Sequence, residues 1–170
     1  FESDADDGFA DVENTLFGAV ESGVGLFQNG GGNLFGGGGL FNDQGSPTVA
    51  NCNFKANYGQ FGGGIMTFGT SHLVVDRCSF DGNTASSGGG IYNDGNTYTL
   101  TLCGVKMTHN TAKEGGGAIF FVSNDRTGNL VIKDSVLVGN PSAGFETKGY
   151  PGIFMLAAPG NPHVTNSTIK

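Results

Sequence analysis

One pattern recurs four times along this chain and fixes a period that few folds can accommodate. It runs apolar, any, apolar, two of any, small, any, large apolar, two of any, Asn, and then glycines. The clearest copies read Leu73, Val75, Cys78, Phe80, Asn83 with Gly88-Gly89-Gly90, and Leu100, Leu102, Val105, Met107, Asn110 with Gly115-Gly116-Gly117. An earlier copy holds Val49, Cys52, Phe54, Asn57 and Gly62-Gly63-Gly64; a looser later one holds Leu130, Ile132, Ser135, Leu137 and Asn140. The asparagines are 26, 27 and 30 residues apart. Internal periods of this length belong to solenoids, in which each repeat buries its apolar face only by stacking on the next.

Within a copy the apolar residues alternate, as in Leu100-Thr101-Leu102, and resume alternation after a short interruption at Val105-Lys106-Met107. Alternation marks strands with one buried face. After each Asn come a polar turn, the glycines and another short strand such as Ile91-Tyr92 or Ala118-Ile119-Phe120. Three short strands and three turns per repeat predict an all-β chain: a single-stranded right-handed parallel β-helix of about five to six coils, each of roughly 26–32 residues. The 32 glycines and 14% charged residues exclude an ordinary charged globular surface, and interrupt every candidate helix.

The whole of 1–170 reads as one β-helix domain. Residues 1–24 form an acidic arm or an irregular first coil, 25–140 the regular coils, and 141–170 irregular last coils without a cap. Asn57, Asn83, Asn110 and Asn140 are expected to take the left-handed conformation at a corner and to stack as an amide ladder. Cys52 and Cys78 share a column about 4.8 Å apart, close enough for a disulfide if their side-chain directions suit one. Two buried thiols acting as small hydrophobes are the alternative. Cys103 lies outside that column.

Cys78-Ser79-Phe80-Asp81-Gly82-Asn83 followed by Gly88-Gly89-Gly90-Ile91-Tyr92 resembles the FxxN and GG-[AILVY] repeats of chlamydial polymorphic outer-membrane proteins and of pectate-lyase-like surface proteins. The resemblance covers roughly residues 47–140. It implies a secreted or cell-surface setting and an adhesive role. Its motif residues are the coil's own corners, so it implies no activity.

The net charge of −7, with 8 scattered Lys and Arg, argues against nucleic acid as a partner. No apolar run is long enough to make a transmembrane segment. No cofactor is expected, and no cysteine or histidine spacing suggests a metal site. Glycoside cleavage would need paired carboxylates about 5–10 Å apart. Asp76 and Asp134 both fall in the interruption between strands, but two rungs apart; Arg77 and Lys133 beside them read as partners in exposed pairs. The leader Asp4, Asp6, Asp7 and Asp11 lacks the spacing of a calcium loop and reads as a solvated arm. His72, His109 and His163 occupy different phases of the repeat. Thr97, Thr99 and Thr101 make one row of the kind an ice-binding face repeats, but neighbouring repeats do not continue it. Asn166 opens a glycosylation sequon with Ser167 and Thr168.

Val164, Ser167 and Ile169 repeat Ile132, Ser135 and Leu137 at a spacing of 32, and the sequence stops two residues before the next asparagine. Solenoid ends normally carry a cap. The sequence therefore predicts a non-enzymatic structural or adhesive β-helix, extracellular or at the cell surface. Its expected partners are itself, stacked end to end in a filament, and glycans or a host surface. A carbohydrate-binding or carbohydrate-cleaving β-helix is the alternative, and an ice-binding protein the third reading.

Overall fold

The computed structural model describes residues 15–21, 27–29, 38–69 and 72–170. The expectation for the acidic leader Asp4 to Asp11 lies outside these residues. Five strands open the order: β1 (Thr15–Glu21), β2 (Phe27–Asn29), β3 (Leu40–Asp43), β4 (Thr48–Lys55) and β5 (Ile65–Phe68). The next coil holds β6 (His72–Asp76), β7 (Ser79–Asp81), β8 (Thr84–Ser87) and β9 (Ile91–Gly95). The coil after it repeats them as β10 (Thr99–Cys103), β11 (Lys106–Thr108), β12 (Thr111–Gly115) and β13 (Ile119–Ser123). A looser turn holds β14 (Asn129–Lys133), β15 (Val136–Val138) and β16 (Ile153–Leu156), followed by β17 (His163–Thr165) and β18 (Thr168–Ile169).

Every pairing between these strands is parallel and joins one coil to the next. The first face stacks β4, β6, β10, β14 and β17; the second stacks β4, β7, β11, β15 and β18. Strand β4 belongs to both, because its first half pairs with β6 and its second with β7. A short third face pairs β8 with β12, and the fourth stacks β2, β3, β5, β9, β13 and β16. A regular coil thus has four strands, one more than the alternation in the sequence suggested. The extra one is β8 or β12, which the sequence reads as a polar turn. Regular turns number about three, covering 48–123, against the five to six expected. Beyond Asn140 the third face keeps only isolated bridges at Ser142 and Phe145, and a longer connection replaces a strand.

Columns of like residues fill the interior. Val49, Val75, Leu102 and Ile132 stack in register, as do Phe54, Phe80, Met107 and Leu137, and Ile65, Ile91, Ile119 and Ile153. All twelve are fully buried. Phe54 and Phe80 lie face to face with centroids 4.7 Å apart, the spacing the strands themselves impose.

Two inner corners join the first face to the second and the second to the third. At each, the turning residue is left-handed whatever its type. The first corner uses Asn51, Arg77, Gly104, Asp134 and Asn166, with φ of 54, 49, 62, 49 and 48°. The second uses Ala56, Gly82, His109 and Gly139, at 53, 66, 55 and 66°. The ladder asparagine is therefore not the left-handed residue, as the sequence reading expected; the residue before it is. That placement turns the Asn side chain inward, where Asn57, Asn83 and Asn110 are completely buried. The turning residues remain tied to the next coil: Ala56 N–H donates to Asp81 O at 3.0 Å and Arg77 N–H to Cys103 O at 2.8 Å. These bonds help offset the roughly 1–2 kcal/mol a non-glycine residue costs in this conformation. Glycine is required at the third corner. A Cβ on Gly89 would sit 2.5 Å from the carbonyl oxygens of Gly117 and Thr111, so coils could not approach there with any side chain.

Candidate functional site

Alternation on the second face sends Phe54, Phe80 and Met107 inward, so their neighbours must point out. Asn53 and Lys55 flank Phe54, Ser79 and Asp81 flank Phe80, and Lys106 and Thr108 flank Met107. Register assembles these into two outward columns, Asn53-Ser79-Lys106 and Lys55-Asp81-Thr108. Together with His109 at the corner they line an open groove of about 490 Å³.

Asp81 is the groove's centre. Its Oδ1 accepts from Thr108 Oγ1 at 2.8 Å and from His109 Nδ1 at 2.9 Å. The His109 bond, then the Thr108 bond, hold its carboxyl below the ordinary carboxylate range. Beside it Ser79 Oγ donates to Asn53 Oδ1 at 2.6 Å. The groove therefore offers a carboxylate with one oxygen uncommitted, two ammonium groups, an amide and hydroxyls. Such a set can bind a polar ligand by charge and hydrogen bonding. It holds a single carboxylate, whereas glycoside cleavage by paired acids needs two.

The sequence-derived candidates lie elsewhere. Asp76 forms an ion pair with Arg77 at 2.7 Å on the first face, and Asp134 accepts from Asn166 Nδ2 at 2.6 Å. They fall in neighbouring columns as well as two rungs apart: Asp76 is in register with Cys103 and Lys133, while Asp134 occupies the corner position of Arg77. They do not form a catalytic pair. Cys52 and Cys78 are not joined in a disulfide. Equivalent positions of stacked coils point the same way, and the sulfurs serve as hydrogen-bonding groups instead of a disulfide. Cys52 N–H donates to Cys78 Sγ at 3.3 Å, and the Cys52 and Cys78 thiols approach Ala50 O and Asp76 O, each at 3.3 Å.

The four ladder asparagines do stack. Asn57 Nδ2 donates to Asn83 Oδ1 at 2.9 Å, Asn83 Nδ2 to Asn110 Oδ1 at 2.8 Å, and Asn110 Nδ2 to Asn140 Oδ1 at 2.8 Å. Asn166 is exposed, and the amide nitrogen that a glycan would occupy is the one bonded to Asp134. The histidines scatter: His72 Nδ1 accepts from Thr99 N–H on the first face, His109 joins the groove, and His163 lies on β17. The threonine row does not become a threonine array. Thr97 bonds Asp125 and Thr127, and Thr101 stacks between Val74 and Val131.

Two features escaped the sequence reading. The groove was legible as the residues on either side of each inward Phe or Met, had the outward positions been stacked as the inward ones were. The other is a line of aromatic rings outside the fourth face. Phe61, Tyr92, Phe120 and Phe154 follow one another at centroid separations of 4.8–4.9 Å, and Phe145 closes the line 5.9 Å from Phe154. The signal for its middle is the residue after a stacked Ile, which is Tyr92, Phe120 and Phe154 in turn; Phe61 and Phe145 lie outside that phase.

Among the described residues no cluster of His, Cys, Asp and Glu is grouped to hold a metal ion, and no helix is long and apolar enough to cross a membrane. No curated protein and no solved structure matches the chain at a significant level. The family model of the right-handed β-helix region matches residues 10–169, almost the whole length. With its parallel coils and stacked columns, the chain belongs to the right-handed β-helix family.

Proposed function

We propose that the chain is a structural or adhesive β-helix of an extracellular or cell-surface setting, acting within a filament or surface fibre in which copies stack end to end. The observation that supports this is where the recurrent polar residues go. Asn57, Asn83 and Asn110 each bond the asparagine of the next coil, and acids of the coils are engaged by neighbouring side chains: Asp76 by Arg77, Glu114 by Ser87, Asp134 by Asn166. The ladders also have a direction. Backbone N–H groups of Asn57, Asn83 and Asn110 each donate to the side-chain oxygen of the following asparagine. A further coil of the same kind would continue the series. The resemblance to chlamydial surface repeats favours the same setting. Electron micrographs of the native full-length protein test it: filaments of the coil's width are expected, and discrete monomers at high concentration would overturn the stacking.

A carbohydrate-binding or carbohydrate-cleaving β-helix is the second reading, favoured by the groove around Asp81. A glycan array combined with a turnover assay separates the two. Glycan cleavage that disappears in Asp81→Asn would make the chain an enzyme; binding without turnover would make it an adhesin.

A further inference from the structure

The groove on the second face reverses the charge balance of the chain. The sequence has 15 acidic against 8 basic residues, yet the groove gathers two lysines around one aspartate. Among the described residues, neither Lys55 nor Lys106 forms an ion pair; the pairs present are Arg77–Asp76 and His109–Asp81. Two exposed ammonium groups thus face solvent at a concave polar surface.

Register sets how they are spaced. Lys55 shares its column with Asp81 and Thr108, and Lys106 shares the adjacent one with Asn53 and Ser79. The lysines therefore stand two rungs and one outward position apart, about 12 Å between backbones at roughly 4.8 Å per rung and 3.3 Å per residue. Asp81 lies on the rung between them. An anionic polymer laid across both ammonium groups must pass this carboxylate. Charge on every sugar would set an anion against Asp81, and like charges brought together are penalised. Charge on alternate sugars sets anions on the two lysines and a neutral sugar between them. That sugar's hydroxyls can donate to the uncommitted Asp81 oxygen and exchange hydrogen bonds with Ser79 and Thr108.

We propose that this groove binds a linear anionic polysaccharide in which charged and neutral sugars alternate. The proposal rests on the carbohydrate-binding reading and narrows it to a charge pattern. Carboxylates and sulfate esters satisfy an ammonium equally well, since lysine acts as a point charge. Selectivity comes from Asp81, and the lysines supply attraction that weakens as salt rises.

Calorimetric titration of the full chain tests this with four probes. Hyaluronate carries a carboxylate on alternate sugars, κ-carrageenan a sulfate on alternate sugars, polygalacturonate a carboxylate on every sugar, and a soluble β-glucan none. At least one alternating polymer is expected to bind tenfold or more tighter than polygalacturonate, and the tighter of the two identifies the anion. The double variant K55Q/K106Q should lose that binding by more than tenfold. D81N should raise polygalacturonate toward the alternating polymers, a gain that a misfolded variant cannot produce. Equal or tighter binding of polygalacturonate or of the β-glucan by the wild type would overturn the charge pattern while leaving carbohydrate binding intact. Failure of all four to bind would overturn both.

Discussion

At the corner after the second-face strands every coil from Asn57 to Asn140 uses an asparagine; at the corner before them the corresponding residue is Cys52, Cys78, Val105, Ser135 and Ser167 in turn. Both corners solve one problem, the backbone N–H groups that the sheet ladder drops as the chain bends. The asparagine solves it with a full valence. Asn83 Oδ1 accepts from Asn57 N and Nδ2, and Asn83 Nδ2 donates to Phe54 O and Asn110 Oδ1. Both lone pairs and both hydrogens of one amide are used. The other corner has one acceptor and one donor per residue. Ser135 Oγ accepts from Val105 N–H at 3.0 Å and donates to Lys133 O at 2.6 Å. Valine has no side-chain acceptor, so at Val105 the second ladder is interrupted, and Cys78 N–H gains nothing from it. The coil tolerates that interruption in one corner while the other is continuous.

If continuity is what matters, the largest effect belongs to the middle of the asparagine ladder. Asn83→Ala removes the shared acceptor of Asn57 N–H and Nδ2 and the donor to the Phe54 carbonyl in the core, and leaves Asn110 Oδ1 only the backbone N–H of residue 83. At about 1–3 kcal/mol for each buried group left unpaired, with partial relaxation, the loss is about 4 kcal/mol. Urea unfolding followed by circular dichroism measures it. A cost no greater than that of the next variant would show the two corners to be equivalent.

Cys78→Val imposes on the second coil what Val105 does to the third. It removes the acceptor of Cys52 N–H while keeping the buried volume apolar. The expected loss is about 1–2 kcal/mol, that of one weak buried hydrogen bond and its exposed donor. The same urea series, with Cys78→Ser as the variant that keeps an acceptor, places it against Asn83→Ala. Cys78→Ser should recover most of the loss.

Repair is the converse experiment. Val105→Thr places a hydroxyl beside Cys78 N–H and should fall within about 1 kcal/mol of the wild type, because the new bond offsets the buried polar atom. Val75→Thr, in a column with no donor to satisfy, should cost about 1–3 kcal/mol. A Val105→Thr loss as large as that at Val75 would show that the interrupted corner has no unmet demand.

These corners also mark the limit of what the sequence discloses. The inward columns were legible, because apolar alternation and a recurring Asn are properties of single residues repeated at one phase. The turning residues were not: Ala56, Gly82, His109 and Gly139 have no side chain in common, and what unites them is φ. Their conformation is set by the bonds to the next coil, which overrides local preference. The fourth strand of the coil was missed for a related reason. Thr84-Ala85-Ser86-Ser87 alternates polar with small residues, and buries only Ala85 and Ser87, so it carries almost no hydrophobic signal. The groove was hidden because its members are two residues apart on one strand but 26–27 apart between strands. Ser79 and Asp81 look like ordinary surface until Asn53, Lys55, Lys106 and Thr108 are placed beside them.

The smallest effect separates the inner corners from the outer surface. Asparagine amides do not titrate, so the ladder contributes equally at pH 7 and pH 3. Asp81 does titrate, and its carboxyl is held below the ordinary value by His109 and Thr108. A depressed folded pKa means stability that is present above the unfolded value of about 4 and is lost as pH falls through the folded one. The side chain is 48% exposed, so solvent screening keeps the contribution under about 0.5 kcal/mol. Comparing wild type with Asp81→Asn by urea midpoint at pH 6 and pH 3 isolates it from the other carboxylates. The wild type should lead slightly at pH 6 and lose that lead at pH 3, and 1 M salt should reduce the difference at pH 6 by its coulombic share alone. A lead that persisted unchanged to pH 3 would mean that Asp81 works through packing, as the inner corners do, and not through charge.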